Sequence, residues 1–176
     1  MKNVFVVLLT VCLLFSATAC SAPNGKGATP KVFSIDKYSL QIEADSTFNE
    51  ETGGSFDLQI TNDDAYVSVM AYKYSDLAEG LTPQNIFDSQ NEDLFSRREN
   101  VSVVEDVKTQ EASQRTIVQK LYSAEKDGVK NYYGVYLVDI PDKETFAWIL
   151  VTTMPSYWED NSELLNSIAY SLTPAE

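Results

Sequence analysis

"TFAWILVTTM", Thr145–Met154, is apolar without a break from Phe146 to Val151. Side chains alternate between the two faces of a strand. Phe146, Trp148 and Leu150 then fall on one face, and Ala147, Ile149 and Val151 on the other. Both sets are apolar, so the strand needs cover above and below and belongs in the middle of a sheet. "AYVSVMAYKY", residues 65–74, reads the same way. It sets Val67, Val69 and Ala71 against Tyr66, Met70, Tyr72 and Tyr74.

Working outward, "NYYGVYLVDI" (131–140) leads into the central strand through the turn "PDKE". Before it, "RTIVQKLYSAE" (115–125) alternates and ends at Asp127-Gly128, a pair suited to a two-residue hairpin loop. "VSVVEDVKTQ" (101–110) is charged and is expected near an edge. Toward the N-terminus, "YSLQIEA" (38–44) and "SFDLQIT" (55–61) each carry one apolar face. The glycine pair ending "DSTFNEETGG" predicts a wide hairpin between them.

Two helices complete the pattern. Thr82-Pro83 is a cap followed by proline at the first helical position, and Ile86, Phe87, Gln90, Leu94 and Arg97 keep a helical period, so the helix is expected over 83–98. Pro155-Ser156 opens the second, with Trp158, Leu164, Leu165 and Ile168 inward. The order β-β-β-α-β-β-β-β-α with hairpin connections predicts an α+β fold. Its form is a mainly antiparallel sheet of about seven strands with helices on both faces, an α/β/α sandwich. One globular domain is expected over 32–176.

The N-terminus reads as a targeting segment. Lys2 precedes the apolar run Val4–Phe15, and small residues Ser16–Ala19 follow. This is the layout of a secretory signal peptide over 1–19, and the run is too short for the roughly 20 apolar residues of a membrane-spanning helix. Ala17-Thr18-Ala19 fits the ordinary signal peptidase. With Cys20 it also resembles the lipobox of bacterial lipoproteins, in which the cysteine is diacylglycerylated and becomes the first mature residue. The lipoprotein reading is preferred, because the only other cysteine, Cys12, leaves with the signal, and an unmodified Cys20 would be an exposed reactive thiol. "SAPNGKGATPK" (21–31) supplies glycines and prolines for a flexible tether, so the anchored linker is placed at 20–31. The expected location is the extracytoplasmic side of a cell membrane, held by lipidated Cys20. Ser21 is not the aspartate that retains lipoproteins at some inner membranes, which permits a Gram-positive surface, here favoured, or an outer membrane.

Composition removes several classes of function. The formal charge is −13, and losing residues 1–19 removes one lysine and no acid. Nucleic acid, which calls for a basic footprint, is not an expected partner. The chain has no histidine, which excludes Ser-His-Asp and Cys-His catalysis and histidine zinc sites. No cofactor and no metal is expected.

The element order resembles the PsbP/Mog1-like α/β/α sandwich family. The resemblance rests on "YSLQI", "YVSVMAYKYSDLAEGLTPQNIFD", "FAWILVTTMP" and "LLNSIAYSLTP", and spans about 38–174. It implies a binding or assembly module, as in photosystem II extrinsic subunits and a Ran-binding protein, and it brings no catalytic residues with it.

Each candidate site also has a plainer reading. Asn62, Asp63 and Asp64 offer oxygen ligands but lack the spacing of a calcium loop, and they read as a hairpin turn. Glu50 and Glu51 read alike. Asn100-Val101-Ser102 matches a glycosylation acceptor, read as chance in a bacterial lipoprotein. Tyr122, Tyr132 and Tyr136, with Tyr133, cluster about one hairpin. Exposed, they would form a platform for a ligand or partner; buried, they are strand formers under a helix, the preferred reading. Gly134, between Tyr132 and Tyr136, would admit a close neighbour or leave a groove. Glu105, Asp106 and Asp139 are carboxylates for acid–base work, with nothing to select among them. The expected function is non-enzymatic: a membrane-anchored binding or assembly module with an envelope protein partner. The alternatives are a small-ligand or glycan receptor and a carboxylate-based hydrolase. The oligomeric state is not indicated.

Overall fold

The central strand β9 (Thr145–Thr153) runs antiparallel to both β5 (Ala65–Lys73) and β8 (Val129–Ile140) in a computed structural model that describes residues 29–112 and 114–175. Outside β5 lie β4 (Leu58–Thr61) and β3 (Asn49–Glu50). Outside β8 lie β7 (Arg115–Lys126) and the edge strand β6 (Glu99–Ala112). The seven strands follow the order β3-β4-β5-β9-β8-β7-β6, and every pair is antiparallel. The signal segment and tether residues 20–28 lie outside the described residues.

The two faces of β9 build two cores, as its double alternation predicts. Phe146, Trp148 and Leu150 join Phe87, Tyr133 and Leu137 beneath α1 (Pro83–Ser96). Ala147, Ile149 and Val151 join Trp158, Leu165 and Ile168 of α2 (Pro155–Tyr170) on the other side. α1 begins where expected. The Thr82 hydroxyl accepts from the Asn85 backbone N–H, and the Asn85 side chain accepts from the Thr82 N–H, so two otherwise orphaned donors are satisfied. The helix ends two residues early. Arg97, expected on the inner stripe, is exposed and pairs with Asp93. Leu164, expected inward, is only half-buried.

The N-terminal third differs from the sequence reading. β1 (Lys31–Ile35) opens at the residue assigned to the end of the tether, and buries Phe33 and Ile35. It pairs with β2 (Leu40–Ala44), which also pairs with β10 (Thr173–Pro174). This small sheet shares the α2 side of the molecule. The expected hairpin between 38–44 and 55–61 therefore does not form. Asp45 explains the break: its carboxylate accepts from the Thr47 N–H at 2.8 Å and tightens a turn that drops Phe48 into the core. Tyr38 sits in a one-turn 3-10 helix, Asp36–Tyr38, rather than in a strand, and Phe56 precedes β4.

Candidate binding surfaces

The three tyrosines do not form one surface. In the register, Tyr122 faces Tyr133 across β7 and β8, and both belong to the α1 side. Tyr132 and Tyr136 point to the α2 side. Tyr136 is fully buried; its hydroxyl donates to Asn166 at 2.6 Å, and burial pushes the phenol well above its ordinary pKa. Tyr132 is half-buried against the same core. A platform of Tyr122, Tyr132 and Tyr136 is thus excluded, because pairing with Tyr133 turns Tyr122 toward α1 while Tyr132 and Tyr136 face α2. Gly134 serves close packing: a Cβ there would meet the Trp158 ring at 2.5 Å. Trp158 of α2 fills the space that any side chain at 134 would need.

The carboxylates do not converge either. Glu105 pairs in register with Leu121 on the α2 side and bonds to Lys108. Asp139 lies opposite Phe146 on the α1 side, where it accepts from the Tyr74 hydroxyl at 2.6 Å. Asp106 is exposed on β6. Asn62 closes the β4–β5 hairpin by accepting from the Asp64 and Ala65 N–H groups at 3.0 and 2.8 Å, as the turn reading expected. Among the described residues no group of three acids is placed to hold a metal ion. Asn100 donates to Glu125 at 2.8 Å on the exposed β6 edge.

Of the concave surfaces among the described residues, two are candidates for binding. The larger, about 890 Å³, lies where the β4–β5 turn meets the first turns of α2. Its walls include Asp45, Asp63, Asp64, Tyr66, Tyr157 and Asn161, and no lysine or arginine lines it. Tyr66 is half exposed, while burial raises the pKa of Tyr157. Polar hydrogen-bonding groups beside two aromatic rings suit a hydroxyl-rich or cationic ligand.

The second, about 400 Å³, is an apolar groove between α1 and the β6–β7 edge. α1 packs on β8 and β9. A helix is about 10 Å across and strands are about 4.8 Å apart, so one helix covers about two strands. β6 is left without cover on that face and β7 is only partly covered, with Ala124 buried and Val118 and Tyr122 half-buried. Val101 and Val107 line the groove, and Val103 faces Tyr122 in register. These three valines are 42%, 53% and 47% exposed. Phe95 packs on Tyr122 with ring centres 4.3 Å apart, and the Lys120 amine stands 4.9 Å over the same ring. The sequence held a signal for this surface: valines recur in "VSVVEDVKTQ" at a strand that its charges place on the edge.

No protein-family model and no curated protein matches the sequence. Solved structures do match, at the level of fold. Cyanobacterial PsbP (CyanoP) from Synechocystis sp. PCC 6803 aligns with a TM-score of 0.62 and 10% identity, over 84% of this chain and 93% of that one. The Saccharomyces cerevisiae Ran-binding protein Mog1p gives 0.57 at 10% identity, over 85% and 97%. LpqN of Mycobacterium tuberculosis, described as involved in cell envelope biogenesis, gives 0.59 at 12% identity, over 87% and 88%. The chain has the PsbP/Mog1-like α+β fold. Fold by itself does not assign an activity.

Proposed function

We propose that this protein is a lipid-anchored, extracytoplasmic, non-enzymatic binding module that holds an envelope protein partner. One observation carries the reading. A row of exposed valines on β6, continuous with Phe95 and Tyr122, leaves an apolar sheet face without cover. Exposed contiguous apolar surface of this kind marks interaction sites. The fold's occurrence in a Ran-binding protein and in a protein of envelope biogenesis supports the same class.

The sequence supports the anchor. A diacylated Cys20 would add about 0.8 kcal/mol per buried methylene, and two chains hold stably where one is marginal. The short tether would keep the domain within reach of neighbouring envelope proteins. A second reading, a glycan or small-ligand receptor, is favoured by the polar groove with Tyr66 and Tyr157, rather than by the tyrosines of the central hairpin.

Chemical cross-linking of the membrane-bound protein, with Cys20→Ala as the released control, tests the proposal. The same digest weighs the N-terminal peptide. The expected result is a lipid mass on Cys20 and one envelope protein captured reproducibly and lost in the control. An unmodified Cys20, or lipid without any protein captured, contradicts it; the second outcome points to the receptor reading.

A further inference from the structure

We propose that the groove between α1 and β6 receives an amphipathic helix of the partner protein, apolar toward the sheet and basic on the flank beside α1. The inference rests on the reading that this face holds a protein partner. Shape is the first argument. The groove runs between α1 and the uncovered β6, about 400 Å³ in volume, and its floor of Val101, Val107, Val118 and Tyr122 is apolar. Such a groove takes residues at positions i, i+3, i+4 and i+7 of an incoming helix.

Charge is the second argument. Gln84, Asp88 and Glu92 form one row along α1 at the groove's rim, each four residues from the next. Residues so spaced are surface neighbours about 5–6 Å apart. The Gln84 amide donates to Asp88 at 2.9 Å, which fixes the start of the row. Lysines or arginines one turn apart on a docked helix would meet Asp88 and Glu92 in register. Lys120, across the groove, sits over Tyr122 and favours an acid or a polar group on the opposite flank.

Other occupants fit less well. A strand added to the free edge of β6 would meet three register shifts within 99–108 and the Glu105–Lys108 pair. Bulges and charges at an edge obstruct strand addition. A second copy of this chain offers no suitable helix among the described residues: α1 and α2 contain no lysine or arginine.

The test is site-specific photocross-linking in the cells that make the protein, with a benzoylphenylalanine replacing Val107. Val32, exposed on β1 on the other side of the molecule, is the control position. The expected cross-linked peptide belongs to another envelope protein. It carries apolar residues at helical spacing and Lys or Arg along one flank. The double substitution Asp88→Lys, Glu92→Lys should lower the yield about tenfold without lowering the melting temperature, because both residues are exposed. A peptide from this chain, a peptide alternating with period two, an unchanged yield after charge reversal, or an equal yield at Val32 would overturn the inference. No cross-link at Val107 also overturns it. If chemical cross-linking of the lipidated protein still captures a partner, the binding-module reading survives. If that too captures nothing, both fall.

Discussion

The indole N–H of Trp148 donates to the side-chain carbonyl of Asn91 at 2.9 Å, and both residues are buried. This bond ties α1 to the central strand and so fixes one wall of the apolar groove. Asn91→Ala would leave the indole N–H without a partner in an apolar core. An unmet buried donor costs about 1–3 kcal/mol. Chemical denaturation should show a loss of that size, and the amides of α1 should exchange faster than those of β9.

Gly134→Ala tests the packing of α2. The added methyl would stand 2.5 Å from one Trp158 ring carbon and 2.9 Å from another. The ring has no free side to move to, since Trp158 is itself buried. Overpacking of this kind costs about 1–3 kcal/mol. A lowered melting point with altered tryptophan emission is the expected outcome. A wild-type melting point would contradict the placement of Trp158.

Thr145→Val should stabilise the protein. The Thr145 hydroxyl is buried and has no hydrogen-bond partner among the described residues. Replacing it with a methyl group removes a desolvation cost without changing shape, for a gain of roughly 1 kcal/mol. Urea denaturation reads this directly as a higher midpoint with an unchanged slope.

Stability should be flat from about pH 6 to 9, because no histidine titrates there. It should then fall above about pH 10, where tyrosines of the unfolded chain lose their protons. Burial raises the Tyr136 phenol, and burial followed by the bond to Asp139 raises Tyr74. A raised folded pKa means that the native state keeps protons that the unfolded state has lost. The stabilisation is whole below the unfolded pKa and declines as pH rises toward the folded one. Tyr136 alone should contribute a slope of about 1.4 kcal/mol per pH unit in that window. Tyr136→Phe should remove that share, seen in melting temperatures across pH 8–12.

The sheet was largely legible in the sequence, and the surfaces only in part. Double-faced strands such as 145–153 announce their burial, because both alternating sets are apolar. The Asp127-Gly128 hairpin and the Thr82 cap are local chemistry and appear where expected. The small sheet was missed because β2 pairs with segments far from 55–61, and no local signal distinguishes a hairpin from two sheets joined at a turn. The tyrosine platform fails for a different reason. Tyr122 and Tyr132 are neighbours in the hairpin, but register decides the face, and Tyr122 pairs with Tyr133. The groove beside α1 depends on which strands a helix leaves uncovered, which only the assembled sheet reveals.

The open face of β6 beside α1 should be covered in the cell. Hydrogen–deuterium exchange on the protein in native membranes, against the same protein extracted and purified, tests it most directly. Slower exchange in membranes is expected across 84–95 and 99–122, with Lys31–Ala44 unchanged between the two states. Equal exchange over 84–95 and 99–122 in both states, or protection confined to the polar groove around Asp63 and Tyr157, would contradict it.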